Sequence, residues 1–166
     1  MAHFVKLNSN KEVVSLAIVP NDACPNDTEE EGITYLNKVW SVNNVIWKKC
    51  SYNTHHNVHA SGGTPYRGNY PGVGWDYDEE NDIFMSKQPN PSWTKNVSRA
   101  AWEAPVTAPT PEQRETNDKG GMMDVQWDED NARWTAHDSA NATGNQTLQE
   151  TQKYAWNPST AAWDEI

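Results

Sequence analysis

The chain opens on two short apolar runs rich in β-branched residues, Phe4 to Asn8 and Val13 to Val19, parted by Asn8-Ser9-Asn10-Lys11. Turn-forming polar residues between two such runs predict a β-hairpin. Thr28 followed by Glu31 has the spacing of a capping box, in which a hydroxyl and a carboxylate satisfy amides that a helix start leaves open. Ile33, Leu36 and Val39 or Trp40 then share one helical face, which predicts a short helix carrying the cost of Gly32 in its first turn. Val45 to Tyr52 alternates as a strand does, with Ile46, Cys50 and Tyr52 on one side and Trp47 on the other. Together these elements predict a β-β-α-β head. Asn53 to Gly74, rich in Asn, Gly, His and Tyr, reads as a long loop or irregular insertion.

Beyond the head the pattern changes from periodicity to repetition. Trp127-Asp128 through Trp134 and Trp156-Asn157 through Trp163 share one form: an aromatic, Asp or Asn, five other residues, and a second aromatic. Tyr77-Asp78 through Phe84 repeats the seven-residue offset, and Trp93 to Trp102 gives a looser version with an offset of nine. In a hairpin with a two-residue loop, facing residues are separated by odd offsets, so each unit reads as a hairpin clasped by facing aromatics. The register predicts tips at Glu80-Asn81, Asp130-Asn131, Ser159-Thr160 and Val97-Ser98. The fold class expected is α+β, mostly β: a small β-β-α-β head followed by an extended arm of short Trp-clasped β-hairpins.

The domain organisation follows from these segments. Residues 1–74 form the N-terminal head with its irregular loop, 75–104 two aromatic hairpins, and 105–124 a Pro-rich linker. Residues 125–135 form a Trp hairpin, 136–152 a polar linker, and 153–166 the C-terminal Trp hairpin.

Composition changes what these hairpins can do. Of 166 residues 9 are Trp and only 2 are Phe, so aromatic burial must replace much of an aliphatic core. Between residues 112 and 166 the only Val, Leu or Ile are Val125, Leu148 and Ile166. A facing pair contributes roughly 0.2–1 kcal/mol and a lone hairpin is marginal in water, so these rings must dock on something. The candidate partner-binding residues are therefore Tyr77, Phe84, Trp93, Trp102, Trp127, Trp134, Trp156 and Trp163. The formal net charge of −10 belongs to the second part of the chain: residues 1–74 carry 6 basic and 6 acidic residues, residues 75–166 carry 7 and 17. Such acidity repels phosphate backbones and argues against nucleic-acid binding. No apolar run is long enough for a membrane helix and no leader pattern opens the sequence, so the expectation is a non-exported chain with no membrane partner.

Sharper chemistry is weakly signalled. His55, His56, His59 and His137 lack a Cys or carboxylate at ligand spacing and read as polar loop residues, giving no metal site. Asp76, Asp78, Glu80 and Asp82 evoke a calcium loop, but Asn81 replaces the turn glycine and Lys87 the closing carboxylate. They read as a solvated hairpin tip. Cys24 and Cys50 read as two free thiols. No nucleophile, base and acid constellation can be assembled, so the expectation is no enzyme, no catalytic residue and no cofactor.

Met1-Ala2-His3-Phe4-Val5-Lys6-Leu7-Asn8, the segment Trp47 to Tyr52, Asn69-Tyr70-Pro71-Gly72-Val73-Gly74, Pro91-Ser92-Trp93, Trp102-Glu103-Ala104-Pro105 and the terminal Tyr154 to Trp163 hairpin carry a resemblance. In them the chain resembles small acidic structural proteins of marine tailed bacteriophages, especially those of cyanobacteria, across most of residues 1–110. The resemblance implies a virion protein, a capsid decoration in preference to a tail or fibre component, made in the host cytoplasm and exposed on the virion surface. Its implied partners are other virion proteins or copies of itself. The sequence departs from that pattern at Thr54 to Pro65 and at residues 112–152. Paired aromatics in repeated hairpins also resemble choline- and glucan-binding wall modules, so a carbohydrate- or choline-binding module for host-surface recognition is the alternative. The repeat starts at Tyr77, Trp93, Trp127 and Trp156 are irregularly spaced, unlike those modules.

Overall fold

The alternation of the first fifty residues is realised as β1 (Ala2–Leu7), β2 (Val13–Val19), α1 (Glu29–Trp40) and β3 (Ile46–Cys50), with the strands in the antiparallel order β2-β1-β3. The structure is a computed structural model describing residues 1–41, 45–114, 123–138 and 154–166. The fold is α+β and mostly β. The Thr28 hydroxyl accepts from the Glu31 amide at 3.3 Å, one half of the expected capping box; the Glu31 carboxylate turns instead to Asn26.

Two apolar faces of this sheet bury two sets of side chains. Ala2, Phe4, Val19 and Trp47 pack under α1 with Leu36 and Cys24. Val5, Leu7, Val13 and Cys50 point the other way, where Tyr77 and Phe84 of a hairpin complete the cluster. That hairpin, β6 (Asp76–Asp78) with β7 (Ile83–Met85), therefore belongs to the same unit as the head, across the expected division at 74/75. The unit comprises Met1–Pro89 and Lys95–Glu103, and so also takes in the short pair β4 (Thr54–His55) and β5 (Val58–His59) and most of the hairpin of β8 (Thr94–Asn96) and β9 (Ala101–Glu103). Gly32, costly by helix propensity, has a packing reason: a Cβ there would lie 2.0 Å from Cζ of the fully buried Phe4.

The second unit comprises Asn90–Thr94 and Ala104–Ile166. Within it β10 (Met123–Asp128), β11 (Arg133–Asp138), β12 (Tyr154–Asn157) and β13 (Ala162–Glu165) form one antiparallel sheet in sequence order. The two Trp hairpins, set apart by a polar linker in the sequence reading, are joined by Thr135↔Ala155 and Ala136↔Tyr154. Four strands with a shared apolar face achieve what one hairpin does not. Residues 115–122 and 139–153, which carry parts of both expected linkers, lie outside the described residues.

The facing aromatics occur where the seven-residue offset puts them, at Tyr77↔Phe84, Trp127↔Trp134 and Trp156↔Trp163. The tips differ from expectation. The ladders close at Asp78↔Ile83, Asp128↔Arg133 and Asn157↔Ala162, leaving loops of four residues, not two. The reason is the Asp or Asn after the first aromatic. Asp78 accepts from the Asn81 amide at 3.2 Å, Asp128 from the Asn131 amide at 3.3 Å, and Asn157 from the Ser159 amide at 3.1 Å, stapling the turn with a side chain. The last loop residue is then left-handed: Asp82, Ala132 and Ala161 have φ of 50°, 47° and 52°. The β8–β9 hairpin follows the same rule, with Asn96 accepting from the Arg99 amide at 3.1 Å and Ala100 at φ 46°. Its first position is thus Lys95, seven residues before Trp102. The expected Trp93–Trp102 clasp does not form, because Asn96 sets the phase of the turn.

Two stability outcomes follow. Gly32→Ala gains about 1 kcal/mol of helix propensity but is expected to lose roughly 1–3 kcal/mol by overpacking Phe4, a net destabilisation readable as a lower urea midpoint. Exposed Ala132 carries a left-handed cost without packing its methyl, so Ala132→Gly is expected to raise stability by about 0.5–1 kcal/mol in the same assay.

Candidate functional site

The segment that reads as a loop carries the polar centre of the first unit. Arg67, with only 9% of its side chain exposed, holds Glu29 of α1 through Nη1 at 2.5 Å and Nη2 at 3.0 Å. Nη1 also donates to the Lys49 carbonyl of β3 at 2.9 Å, and Nε to Asp82 of the β6–β7 tip at 2.7 Å. The Tyr77 hydroxyl donates to the same Asp82 oxygen. Tyr66 lies under the guanidinium, 5.1 Å from ring centroid to Cζ. Burial pushes the Glu29 carboxyl up, but the hydrogen bonds from Arg67 and from the Lys49 amide outweigh it and hold the group below its ordinary range. Asp82 behaves alike: burial raises it, and Tyr77 and Arg67 bring it down further.

Two residues on, buried Asn69 knits three short hairpins. Its Nδ2 donates to the carbonyls of Phe84 and Ala100, both at 2.8 Å, and its Oδ1 accepts from the His56 amide at 2.8 Å. Gly68 between them is required to be glycine: φ is 73°, and a Cβ would come within 2.5 Å of the Ala100 methyl. Arg67 is not singled out by sequence, and Asn69 enters only as the first residue of the Asn69 to Gly74 run, with no role attached, because nothing in an irregular polar stretch marks which residue is an anchor.

These contacts frame two clefts within the first unit. One, of about 370 Å³, is lined by His3, Lys49, Tyr52, His59 and Tyr66 among others. Lys49 there is paired with Asp27 at 2.8 Å, and the Nδ1 of His59 accepts the amides of Ser61 and Gly63. The other, of about 470 Å³, lies where the β6–β7 and β8–β9 hairpins meet, between Tyr77, Met85, Lys95 and Trp102 with Asp76 and Asp78. Three of the four carboxylates of the supposed calcium-like run are engaged with cations: Asp76 with Lys87, Asp78 with Lys95 at 2.9 Å, Asp82 with Arg67. Asp78, with 12% of its side chain exposed, is thus a working contact and not part of the solvated tip expected, whereas Asp82 holds Arg67 from a tip that is solvated, with 59% of its side chain exposed. Among the described residues no group of three or more His, Cys, Asp or Glu could hold a metal ion; the side chain of His137 lies outside the described residues. Cys24 and Cys50 are buried free thiols, and burial pushes Cys50 up to about 12, which keeps it a protonated, poor nucleophile.

The eight aromatic candidates separate into three groups. Tyr77 and Phe84 are core residues, their rings 5.2 Å apart, and offer no outer face. Trp102 is half-buried and donates its indole N–H to the Ser86 carbonyl at 2.8 Å. In the second unit Trp93, Trp127 and Trp134 form a three-ring cluster with edge-to-face contacts at 5.1–6.2 Å. Glu129 accepts from the Trp127 indole at 2.7 Å and from the Ser92 amide and hydroxyl, both at 2.8 Å. Trp134 and Trp163 donate to the carbonyls of Val106 and Gln113 at 2.9 and 2.7 Å, and Trp156 is buried against Trp163. The rings therefore dock largely on this chain, and the Pro-rich connector is one of the things they hold. What sequence pattern missed is the opposite kind of residue, Leu16 and Ile18 on β2, apolar yet exposed.

Burial pushes the Asp78 carboxyl up, but the hydrogen bonds from Lys95 and Asn81 prevail and hold it at about 2, against 3.8 for a free aspartate. A carboxyl depressed in the folded state contributes fully above the unfolded pKa and loses that contribution as pH falls through the folded one. Between pH 3.8 and about 2 the wild type is expected to lose stability more steeply than Asp78→Asn, which keeps the turn staple, as read from urea midpoints across that range.

No protein-family model matches the chain, no curated protein matches it, and no solved structure matches it.

Proposed function

We propose that the chain is a non-enzymatic structural protein of a tailed-phage particle, binding other virion proteins or copies of itself on the virion surface, on the capsid in preference to the tail or a fibre. The observation that supports this reading is the use of one scaffold four times: a side-chain-stapled hairpin, clasped by facing aromatics in three of the four copies, whose polar tip faces solvent. Repeated stiff hairpins present surface, and surface is what a particle component needs. The acidity of residues 75–166 fits an outward-facing part that avoids packaged nucleic acid. The deciding experiment is quantitative mass spectrometry of purified virions. Copy number matching the major capsid protein is the expected outcome; tail-like copy number moves the chain to a tail or fibre role, and absence from the particle overturns the proposal.

The cleft of about 470 Å³ favours a second reading, a carbohydrate- or choline-binding module. Neighbouring hairpins there set an indole beside paired carboxylates and an ammonium, a combination suited to a sugar ring or a quaternary amine. Saturable quenching of tryptophan fluorescence by soluble glucans or choline, abolished in Trp102→Ala, would support it; unchanged fluorescence at millimolar ligand would remove it.

A further inference from the structure

The two edges of the three-stranded sheet are treated differently. On β3, Lys49 spends its backbone N–H on the Glu29 carboxylate at 2.6 Å and its carbonyl on Arg67 at 2.9 Å, so side chains cap that edge. Lys49 opposite Phe4 is therefore a non-hydrogen-bonded pair, and His3, Val5 and Leu7 bond toward β3. By the same alternation Ala2, Phe4 and Lys6 bond toward β2, taking up Val19, Ala17 and Ser15. Leu16 and Ile18 are left with N–H and C=O pointing outward. At one end Val13 is already bonded to the Trp75 carbonyl and the Gly74 amide, both at 2.8 Å, and at the other Pro20 has no N–H.

This open window is apolar and uncharged. Val14, Leu16 and Ile18 are 42%, 36% and 55% exposed, and residues 13–19 contain no ionisable side chain. Natural edge strands of this length normally carry a lysine, a proline or a covering loop that prevents pairing. Among the described residues one edge has such protection and the other does not.

We propose that β2 pairs antiparallel with β2 of a second copy of this chain, across a two-fold axis through Ala17. In that register Leu16 of each copy faces Ile18 of the other, so the free N–H and C=O groups of both residues are satisfied in two hydrogen-bonded pairs. The side chains of Leu16 and Ile18 lie on one face and form an apolar quartet, while the small Ala17 methyls meet at the axis. The result is a six-stranded sheet in the order β3-β1-β2-β2-β1-β3. Head-to-tail addition would need the capped β3 edge, so the pairing closes at two copies. The interface is small, in the class below about 1,200 Å² that is weak and concentration-dependent. Each chain carries a net −10, so added salt screens the repulsion and strengthens the dimer. This inference stands apart from the particle reading, because it concerns the free chain.

Sedimentation of the full chain from about 1 μM to about 1 mM tests it, a range that covers weak association. The expected result is a reversible monomer–dimer equilibrium without larger species, weakened at least about tenfold by Ile18→Lys, a change at an exposed site that leaves the circular dichroism unaltered. Ala17→Cys is expected to form a disulfide-linked dimer under mild oxidation, since facing non-hydrogen-bonded residues bring Cα atoms to about 4.5 Å, and the native thiols are buried. A monomer across the whole range, a dimer indifferent to Ile18→Lys, or growth into larger oligomers would each overturn the proposal. So would protection of the Leu16 and Ile18 amides from hydrogen exchange only when a second purified virion protein is added, which would assign the edge to that protein's strand.

Discussion

A single guanidinium holds the first unit together. Arg67 joins the start of α1, the middle of β3 and the tip of the β6–β7 hairpin, three elements that have no common backbone ladder. A buried cation of this kind is costly to desolvate and is tolerated only when its donors are matched. Here two carboxylates, a carbonyl and an aromatic ring surround it, and their joint effect is to raise its affinity for the proton against the pull of burial. The same matching depresses Glu29 and Asp82, so the buried charge of Arg67 is shared among partners instead of being avoided. Removing Arg67 would leave Glu29 and Asp82 without their counter-charge, which makes the arrangement more valuable for specifying where the helix and hairpin meet than for net stability.

The second unit solves the same assembly problem with rings. It is poor in aliphatic residues, and its indoles supply both the apolar area and the polar handles that order irregular backbone. Edge-to-face indole pairs add roughly 0.5–1.5 kcal/mol beyond burial, and each N–H that reaches a carbonyl fixes a segment having no ladder of its own. The connector between Ala104 and Arg114 is held in this way, without a helix or strand longer than one 3-10 turn.

The head was legible because its signals are local: turn residues between apolar runs, a cap at Thr28 and period-two alternation up to Cys50. The repeat was legible too, but its phase in the β8–β9 copy was not. Lys95 occupies the place where the other copies have an aromatic, so a reader following rings lands on Trp93, whereas the turn follows Asn96. Arg67 and Asn69 were hidden for a different reason. They anchor the chain by hydrogen bonds to distant backbone, and no periodicity announces a polar anchor. The docking of the rings was illegible because it depends on which carbonyls happen to lie near them. Exposure of Leu16 and Ile18 was masked by a run of apolar residues that looks the same on a central strand as on an edge.

The second unit is not a continuous stretch of chain. Ser92 and Trp93 belong to it, although the β8–β9 hairpin, almost all of it in the first unit, lies between them and Ala104. Glu129 loses its serine partner, and the three-ring cluster a member, if residues 104–166 are separated from what precedes them. Recombination at the Pro-rich segment, the place where a modular protein would be expected to exchange its end, would therefore deliver an incomplete part. The C-terminal hairpins are bound to descend with residues 90–94 and with the β8–β9 hairpin that lies between, so an exchange that delivers a whole unit must break the chain before Asn90.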